Sequence, residues 1–449
     1  MSSRHTENRF LTAPIGRLFW ANALPMMLIM VMNGLLSLVD AIFLGRFVGT
    51  AALTAVSVIF PLSLVTIAVS TLVSGGMSSL LARRLGARDF DGAESVFAQA
   101  HGLALALALA LIVLFLALGG ALTLHLGGGD PEVARMAWSY LAITIGAAPL
   151  QFWLGLHADT MRNEGRAGIM AMLSAGVTLA NVALNYLLIV RWEMGVAGSA
   201  WGTALAQALG LAFLLGLRFR GGLVPLAALA RRWWGGWGRI LTLGAPMSLS
   251  FTGIALVSAI VITTLGATAG AEYAPVVAAY GIVTRLLGFA YLPLMALGLA
   301  TQAIAGNNAG AGLEERSEAV LRLGLLAVGS YCALVELVFM AGGGMLGRVF
   351  VTDPEVVGRV AGVLRPTVFL YVLQGPMLVL AMYFQALGQP GRAAALTLAR
   401  PFVLMPLLVP TLGLALGTGA IWYAFPLADT CVALIALTLL RRGRAGRPA

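Results

Sequence analysis

The sequence contains little charge and no lysine. Charged residues make up 10% of its 449 residues, and all 28 basic residues are arginine. Soluble domains carry roughly 25% charged residues, and a charged surface is what keeps them in water. With 60% hydrophobic residues, this chain has too much apolar surface for a soluble fold. The composition therefore predicts an integral membrane protein.

Cysteine and histidine are also scarce. Cys332 and Cys431 lie in separate apolar runs, so they form no metal or redox motif and support no disulfide. The four histidines are scattered along the chain, and no cluster of acidic residues offers a metal site. We therefore expect no enzymatic activity and no cofactor. Because the arginines are dispersed between apolar runs and form no single stripe, we also expect no nucleic-acid partner.

Twelve apolar segments are long enough to cross a hydrocarbon core of ~30 Å. Their short connections predict an all-α membrane protein in which consecutive helices run antiparallel. The predicted spans are 18–43, 52–81, 97–119, 136–157, 168–190, 195–217, 240–265, 275–304, 321–342, 364–387, 393–412 and 418–440.

The arginines set the orientation of these spans. Twenty fall on the side of the amino terminus and five on the other side. Positive residues favour the cytoplasm, so we expect both termini to be cytoplasmic, in a multi-pass protein of a bacterial inner membrane. The longest connection contains RRWWGGWGR from Arg231 to Arg239. It predicts either an interfacial segment on the inner membrane surface or a plain loop.

The second half of the chain repeats the first at an offset of 221 to 226 residues. Six spans per repeat give two parallel halves, at 1–217 and 240–449, joined by a linker at 218–239. In transporters such halves enclose a site near the membrane midplane that opens alternately to each side. The matching pairs are Pro25 with Pro246, DPEV from Asp130 and from Asp353, GRA from Gly165 and from Gly391, and GSAW from Gly198 with GAIW from Gly419.

Four charged residues within spans of the second half fall into two pairs at matching depths. At 1.5 Å per helical residue, Arg400 and Asp429 both lie about 12–14 Å from the cytoplasmic face. Arg285 and Glu336 both lie about 9–15 Å from the outer face. Because buried charges are costly unless they are paired, we predict two structural ion pairs, Arg400 with Asp429 and Arg285 with Glu336.

Asp40 differs from these residues because no cation of its own half lies at its depth. Its counterpart in the repeat is Val261, so the architecture itself does not need the carboxylate. A lone buried carboxylate is a candidate proton carrier, and carboxylate, amide and hydroxyl oxygens could also ligate Na⁺. We therefore predict a coupling-cation site in the outer half of the first bundle, formed by Asp40, Asn181, Asn185 and Thr203, with Na⁺ an alternative ligand at Asp40 and Asn181.

Several motifs occur in order over both halves of the chain. They are LVDAIFLGRFVGTAAL from Leu38, PLQFWLGLHADTMRNEGRA from Pro149, NVALNYLLI from Asn181, GVAGSAWGT from Gly195, AAYGIVTR from Ala278 and GNNAGAG from Gly306. This ordered set resembles the multidrug and toxic compound extrusion (MATE) family, and the resemblance covers nearly the whole chain. It implies two six-helix lobes in a V-shaped arrangement, which export organic cations or drugs in exchange for H⁺ or Na⁺ by alternating access.

Within that family the chain resembles the DNA-damage-inducible F (DinF)-type branch. This resemblance implies a cation site in the N-lobe at Asp40, Asn181 and Thr203. Asn185 departs from the branch, which often has a second Asp there, so Asp40 is left as the only obvious proton carrier. Spans seven and ten show no clear match to the acidic residues of the NorM-type branch.

We expect the transported substrate to meet a cavity lined by Gln151, Trp153, Tyr186 and Met27, since methionine suits varied ligands. The expected partners are organic cations or drugs and the lipid bilayer, with the protein acting as a monomer.

Two alternative functions remain open from the sequence. A flippase of the same superfamily, moving a lipid headgroup or a lipid-linked oligosaccharide, would favour a cavity lined by several arginines, and Arg285 and Arg400 are too few. An intramembrane transferase would need clustered acidic metal ligands or a catalytic histidine near an interface. A channel is disfavoured because no pore motif is visible.

Overall fold

The computed structural model is helical and describes residues 8–127, 130–219, 221–348 and 354–445. The helices are α1 (Arg9–Thr12), α2 (Ile15–Phe43), α3 (Thr50–Val58), α4 (Phe60–Gly86), α5 (Phe90–Leu126), α6 (Pro131–Gly146), α7 (Ala148–Asn163), α8 (Ala167–Asn185), α9 (Gly195–Phe219), α10 (Trp237–Thr268), α11 (Tyr273–Gly310), α12 (Glu314–Arg348), α13 (Pro354–Val368), α14 (Tyr371–Ala386), α15 (Pro390–Ala399), α16 (Met405–Leu416) and α17 (Ala424–Ala445). Wider π-helical turns occur at Leu44–Val48, Tyr186–Arg191 and Arg400–Leu404, and 3₁₀ turns at Leu226–Ala230, Gly270–Glu272 and Thr418–Tyr423.

The number of membrane spans agrees with the sequence. Within the described residues, ten helices are long and apolar enough to cross a membrane, and two bent pairs raise the number to twelve. The bent pairs are α6 with α7, at 46°, and α13 with α14, at 50°. These two pairs correspond to the predicted spans 136–157 and 364–387, so the all-α fold with twelve spans is confirmed.

The backbone repeats the irregularities of one half in the other. The first bent span breaks at Ala147 and the second at Leu370, 223 residues later, where φ is 68°. Glycines with positive φ also recur, since glycine adopts that conformation without a steric cost. The fold is therefore two pseudo-symmetric bundles. The glycine pairs are Gly49 (φ 117°) with Gly270 (φ 52°) and Gly195 (φ 60°) with Gly417 (φ 90°).

The described chain forms two compact units. The first contains the described residues up to Ser248 together with Gly306–Glu314, and the second contains Leu249–Ala305 and the described residues from Glu315 onwards. The lobe boundaries at 217 and 240 follow the sequence repeat and stay a prediction. Both chain ends and Asp353 of the second DPEV sequence lie outside the described residues, so the cytoplasmic position of the termini also stays a prediction.

The linker between the repeats packs against the first unit. Arg231 donates from Nε to Glu94 Oε2 at 2.8 Å and from Nη2 to Asp91 Oδ1 at 2.5 Å, and both acids lie on α5. The Val224 N–H donates to Glu164 Oε1 at 3.0 Å. Burial raises the pKa of the Glu164 carboxyl above its usual range. These contacts fix the linker to the protein at several points.

Glycines allow α10 to approach α4 backbone to backbone within the first unit. A Cβ atom added at Gly76 would lie 2.0 Å from the carbonyl oxygen of Ile240, and one added at Gly244 would lie 1.8 Å from that of Leu72. Close approach at small residues is a principal source of helix association in membranes. These two glycines therefore fix the spacing of the two helices.

We expect Gly244→Ala to lower the melting temperature of the detergent-purified protein, because the new methyl group must displace the Leu72 carbonyl. Overpacking of this kind typically costs about 1–3 kcal/mol. Gly238→Ala is the matched control on the same helix, since its Cβ would meet no atom within 4 Å. Equal melting temperatures for the two variants would contradict the close packing of α4 and α10.

Candidate functional site

Four polar residues of the first unit meet near the ends of three helices. Asp40 lies on α2 three residues before its end, and Asn185 is the last residue of α8; a π-helical turn follows each helix. Such turns are common at functional sites. Asn181 lies one helical turn before Asn185 and shares its face, and Thr203 comes from α9.

The four side chains form a chain of hydrogen bonds. Asn185 Nδ2 donates to Asp40 Oδ1 at 2.5 Å and to Asn181 Oδ1 at 3.0 Å. Asn181 Nδ2 donates to Thr203 Oγ1 at 3.0 Å. Both asparagines are fully buried, whereas Asp40 and Thr203 are half-buried. The structure thus brings together all four residues that the sequence predicts for the coupling-cation site.

The Asn181 amide can be placed in this hydrogen-bond network in two orientations, because its oxygen and nitrogen atoms have nearly the same size. In the second orientation Nδ2 donates to Asp40 Oδ1 at 3.1 Å, and Oδ1 accepts from the Thr203 N–H at 3.2 Å and from Thr203 Oγ1 at 3.0 Å. The hydrogen bond from Asn185 to Asn181 is lost in this orientation, because the two amide nitrogens then face each other at 3.0 Å. An ionised Asp40 carboxylate can only accept hydrogen bonds, so it favours the second orientation, in which Asn181 Nδ2 donates to it. In the first orientation the Asn181 oxygen faces Asp40, which is favourable when Asp40 carries a proton.

Glycines on α9 create the room for this network. A Cβ atom at Gly202 would lie 2.3 Å from Asn185 Oδ1, and one at Gly198 would lie 3.1 Å from the backbone carbonyl of Leu188. Their spacing of four places both glycines on one helical face, so that α9 can approach α8 closely. Gly202 is therefore part of the site although it has no polar side chain.

Sequence reasoning missed Gly202 and also Tyr140. Tyr140 lies on α6 within electrostatic range of Asp40. The sequence GSAWG contained a signal for Gly202, because small residues four apart are typical of close helix contacts. Nothing in the sequence pointed to Tyr140, since hydropathy does not show which way a side chain of α6 faces.

The donor set of this site can be compared with the needs of a proton and of a metal ion. Within the described residues, no group of three or more His, Cys, Asp and Glu side chains could hold a metal. The site offers Na⁺ one carboxylate together with amide and hydroxyl oxygens, but Asn185 Nδ2 already contacts Asp40 Oδ1 at 2.5 Å. A proton requires only the carboxylate and a hydrogen-bond partner. The choice between a proton and Na⁺ at Asp40 therefore stays a prediction.

The four residues predicted to line a substrate cavity have separate surroundings. Gln151 and Trp153 lie half-buried on α7, and Met27 lies half-buried on α2. Tyr186 begins a π-helical turn and is 48% exposed. Trp153 packs edge to face against Trp233 of the linker, with ring centroids 6.0 Å apart. In the described chain no hydrogen bond or ring contact joins any two of the four, and their role stays a prediction.

One of the two predicted ion pairs is formed. Arg400 Nε lies 2.7 Å from Asp429 Oδ1. The other predicted pair, Arg285 with Glu336, is not formed within the described residues, where Arg285 occupies an exposed face of α11. The prediction of that second pair was wrong because depth along a helix does not determine which way a side chain points.

Glu336 instead satisfies the backbone at the break between α13 and α14. Its Oε1 accepts the Leu370 N–H at 3.1 Å, and its Oε2 accepts the Val372 N–H at 2.9 Å. The left-handed conformation of Leu370 interrupts the helix, so the N–H groups there lose their partners one turn back. A carboxylate that accepts two such groups stabilises the break.

Comparison with known proteins agrees with this architecture. The family model described as MatE matches residues 25–187 and 246–411, once in each half of the chain. The chain is similar to multidrug and toxin extrusion protein 2 of Mus musculus, with 26% identity over 348 residues, which are 76% of this chain and 59% of that protein. It is also similar to the multidrug export protein MepA of Staphylococcus aureus, with 25% identity over 443 residues, which are 96% of this chain and 94% of that protein.

A solved structure shares the fold over the full length of both chains. It is an outward-facing multidrug resistance transporter of the MATE family and the MOP superfamily, with a TM-score of 0.88, 21% identity and 100% coverage of each chain.

We expect Glu336→Ala to destabilise the protein, because it leaves two backbone N–H groups in a membrane span without an acceptor. The cost of an unsatisfied buried donor is about 1–3 kcal/mol. Arg285→Ala should leave the melting temperature nearly unchanged, because Arg285 does not contact Glu336. If the two residues formed an ion pair, both variants would lower the melting temperature. Thermal unfolding of both variants in the same detergent tests this difference, and a matching loss in Arg285→Ala would restore the ion-pair interpretation.

Proposed function

This chain belongs to the MatE family of multidrug and toxin extrusion transporters, and we propose that it is an antiporter that exports organic cations or drugs in exchange for H⁺. Membership in the family makes it a multi-pass membrane transporter and not an enzyme. The coupling ion, the substrates and the antiport mechanism are parts of the proposal. The observation that carries it is the contact of Asp40 with Asn185 at 2.5 Å, inside a network that joins three helices.

Protonation of Asp40 is the coupling event in this proposal. The ionised carboxylate accepts N–H groups from Asn185 and from Asn181 in its second orientation. A proton on Asp40 turns one acceptor oxygen into a donor and favours the first orientation, in which Asn181 donates to Thr203. The protonation state of one residue thereby changes hydrogen bonds between α2, α8 and α9.

Alternating access then links this change to export. When the site opens outwards, Asp40 takes a proton, and the altered contacts of α2, α8 and α9 weaken substrate binding. After the substrate leaves, the protein opens inwards and the proton is released to the cytoplasm. Each unit of pH difference supplies about 1.4 kcal/mol per proton, and 100 mV supplies about 2.3 kcal/mol per charge. If one proton exchanges for one monovalent cation, only the pH gradient drives export.

The sequence resemblance to the DinF-type branch supports the same placement of the coupling site. The protein is a monomer of the inner membrane in this proposal, and the distribution of the arginines supports cytoplasmic termini. Na⁺ remains the alternative coupling ion, with Asp40 and Asn181 as its ligands. Lipid or oligosaccharide flipping is less well supported, because Arg285 lies on an exposed helix face and Arg400 contacts Asp429.

We expect Asp40→Asn to abolish ethidium transport that is driven by a pH gradient in proteoliposomes, because the amide cannot carry the coupling proton. Glu132→Gln, which removes an exposed acid of the same unit, is the matched control and should transport normally. Each protein is tested with a pH gradient alone and then with a Na⁺ gradient alone.

The outcomes separate the alternatives. Transport driven by Na⁺ alone would show that the coupling ion is Na⁺, with Asp40 and Asn181 as its ligands, and not a proton. Equal pH-driven transport by wild type and Asp40→Asn would refute the role of Asp40. If neither gradient moves ethidium or a fluoroquinolone, export of these compounds is ruled out and lipid flipping is assayed next.

We expect Gly202→Ala to reduce pH-driven transport about tenfold, because its methyl group pushes the Asn185 amide away from Asp40. Losing a hydrogen bond to a charged group costs about 1.5–3 kcal/mol. Gly216→Ala lies on the same helix with no atom within 4 Å of the added Cβ, and it should transport like wild type. Initial rates per folded protein give the comparison, and an unimpaired Gly202→Ala would show that the Asn185 contact is dispensable.

A further inference from the structure

The linker between the two repeats carries the sequence RRWWGGWGR, and only part of it is packed against the protein. The backbone is extended at Arg231, with φ −74° and ψ 174°, and successive side chains of an extended segment point to opposite sides. Arg231 and Trp233 are half-buried, whereas Arg232 and Trp234 are exposed. The segment therefore has an inner side, which faces the first unit, and an outer side.

Contacts on the inner side hold this segment against α5. Arg231 contacts the carboxylates of Asp91 and Glu94. A Cβ atom added at Gly102 would overlap the carbonyl oxygen of Trp233, so this glycine permits a close approach of the linker to the helix. Because the inner side is anchored at both of its residues, the direction in which the outer side faces is fixed.

Glycines turn the chain from this segment into α10. Gly235 and Gly236 have φ values of 99° and 65°, which glycine adopts without a steric cost. The membrane span that follows is Trp237–Thr268. Arg239 is exposed in its first turn, about 3 Å along the helix axis from its start. The turn and the residues beside it therefore lie at the level where the membrane meets water.

Three exposed residues on either side of this turn form the linker patch: Arg232, Trp234 and Arg239. Trp234 is 61% exposed, and Arg232 Cζ lies 5.4 Å from the centre of its ring. In the part of the chain that the structure describes, neither arginine has an acidic partner, and the Trp234 indole N–H has no acceptor. The linker patch therefore presents two uncompensated positive charges beside an exposed aromatic ring.

We propose that the linker patch binds anionic phospholipids of the leaflet that it faces, which the distribution of the arginines predicts to be the cytoplasmic one. Guanidinium groups donate strong, charge-assisted hydrogen bonds to headgroup phosphates. Tryptophan favours the boundary between headgroups and acyl chains, because its ring is apolar and its N–H is polar. The inference concerns the surrounding lipid, so it does not depend on the proposed coupling ion or substrates.

The test compares two lipids that differ in headgroup charge. Dioleoylphosphatidylglycerol carries one negative charge, whereas dioleoylphosphatidylcholine has the same acyl chains and no net charge. Binding of each lipid to the detergent-purified full-length protein is measured by native mass spectrometry. We expect the wild type to bind its first phosphatidylglycerol molecule at least about tenfold more tightly than its first phosphatidylcholine molecule, because each arginine close to anionic headgroups contributes about fivefold.

Two variants remove the charges of the linker patch one at a time. Arg232→Gln and Arg239→Gln should each weaken phosphatidylglycerol binding about fivefold, equivalent to about 1 kcal/mol, and should change phosphatidylcholine binding less than about twofold. The double variant should bind both lipids with similar affinity. Arg322→Gln is the matched control, since it removes an exposed arginine that is predicted to lie on the same side of the membrane, and it should change neither affinity.

Each other result overturns the inference. Equal binding of the two lipids by the wild type would show that headgroup charge is not recognised. Unchanged phosphatidylglycerol binding in both single variants, or an equal loss in Arg322→Gln, would show that the preferred lipid does not bind at the linker patch. If excess inorganic phosphate displaces phosphatidylglycerol, the arginines bind free anions and the lipid site is refuted. Melting curves verify that each variant is folded, and the single variants decide the question should the double variant not fold.

Discussion

Hydrocarbon provides no hydrogen-bond partner, so every polar group inside a membrane span must find its partner within the protein or in a water-filled cavity. The chain meets this constraint in three ways. Asp40 accepts an N–H group of Asn185 from a neighbouring helix, Glu336 accepts backbone N–H groups that a helix break sets free, and Arg400 contacts a buried carboxylate. The polar side chains and the backbone irregularities therefore have to be explained together.

The irregular turns lie where these polar residues are found. A π-helical turn follows Asp40 within four residues, another follows Asn185 directly, and a third begins at Arg400. A regular helix satisfies its own backbone but holds each side chain in a fixed direction. A wider turn changes that direction locally and weakens the backbone ladder. Such turns therefore allow a span to aim a polar group at its partner at a modest cost in helix stability.

Much of the fold followed from composition and from the repeat. Twelve spans were predictable because apolar length is read directly from the sequence, and Asp40, Asn181, Asn185 and Thr203 could be grouped because their depths agree. The pair of Arg285 with Glu336 was wrong for a related reason, since depth gives height in the membrane but not direction around the helix. The break at Leu370 was also invisible, because no glycine or proline marks that position and proline stands four residues earlier, at Pro366.

The two halves share a backbone plan but carry different chemistry. Asp40 corresponds to Val261, which is fully buried in the second unit, and Asp429 corresponds to Ala208 at the offset of 221 residues. The breaks and the positive-φ glycines recur in both halves, whereas the charges do not. Since the second bundle forms without a residue like Asp40, that carboxylate is not required to build a six-span bundle. A carboxylate that lies in a membrane span without being required by the architecture is retained at a cost in stability, and a functional role is the explanation that its hydrogen-bond network supports.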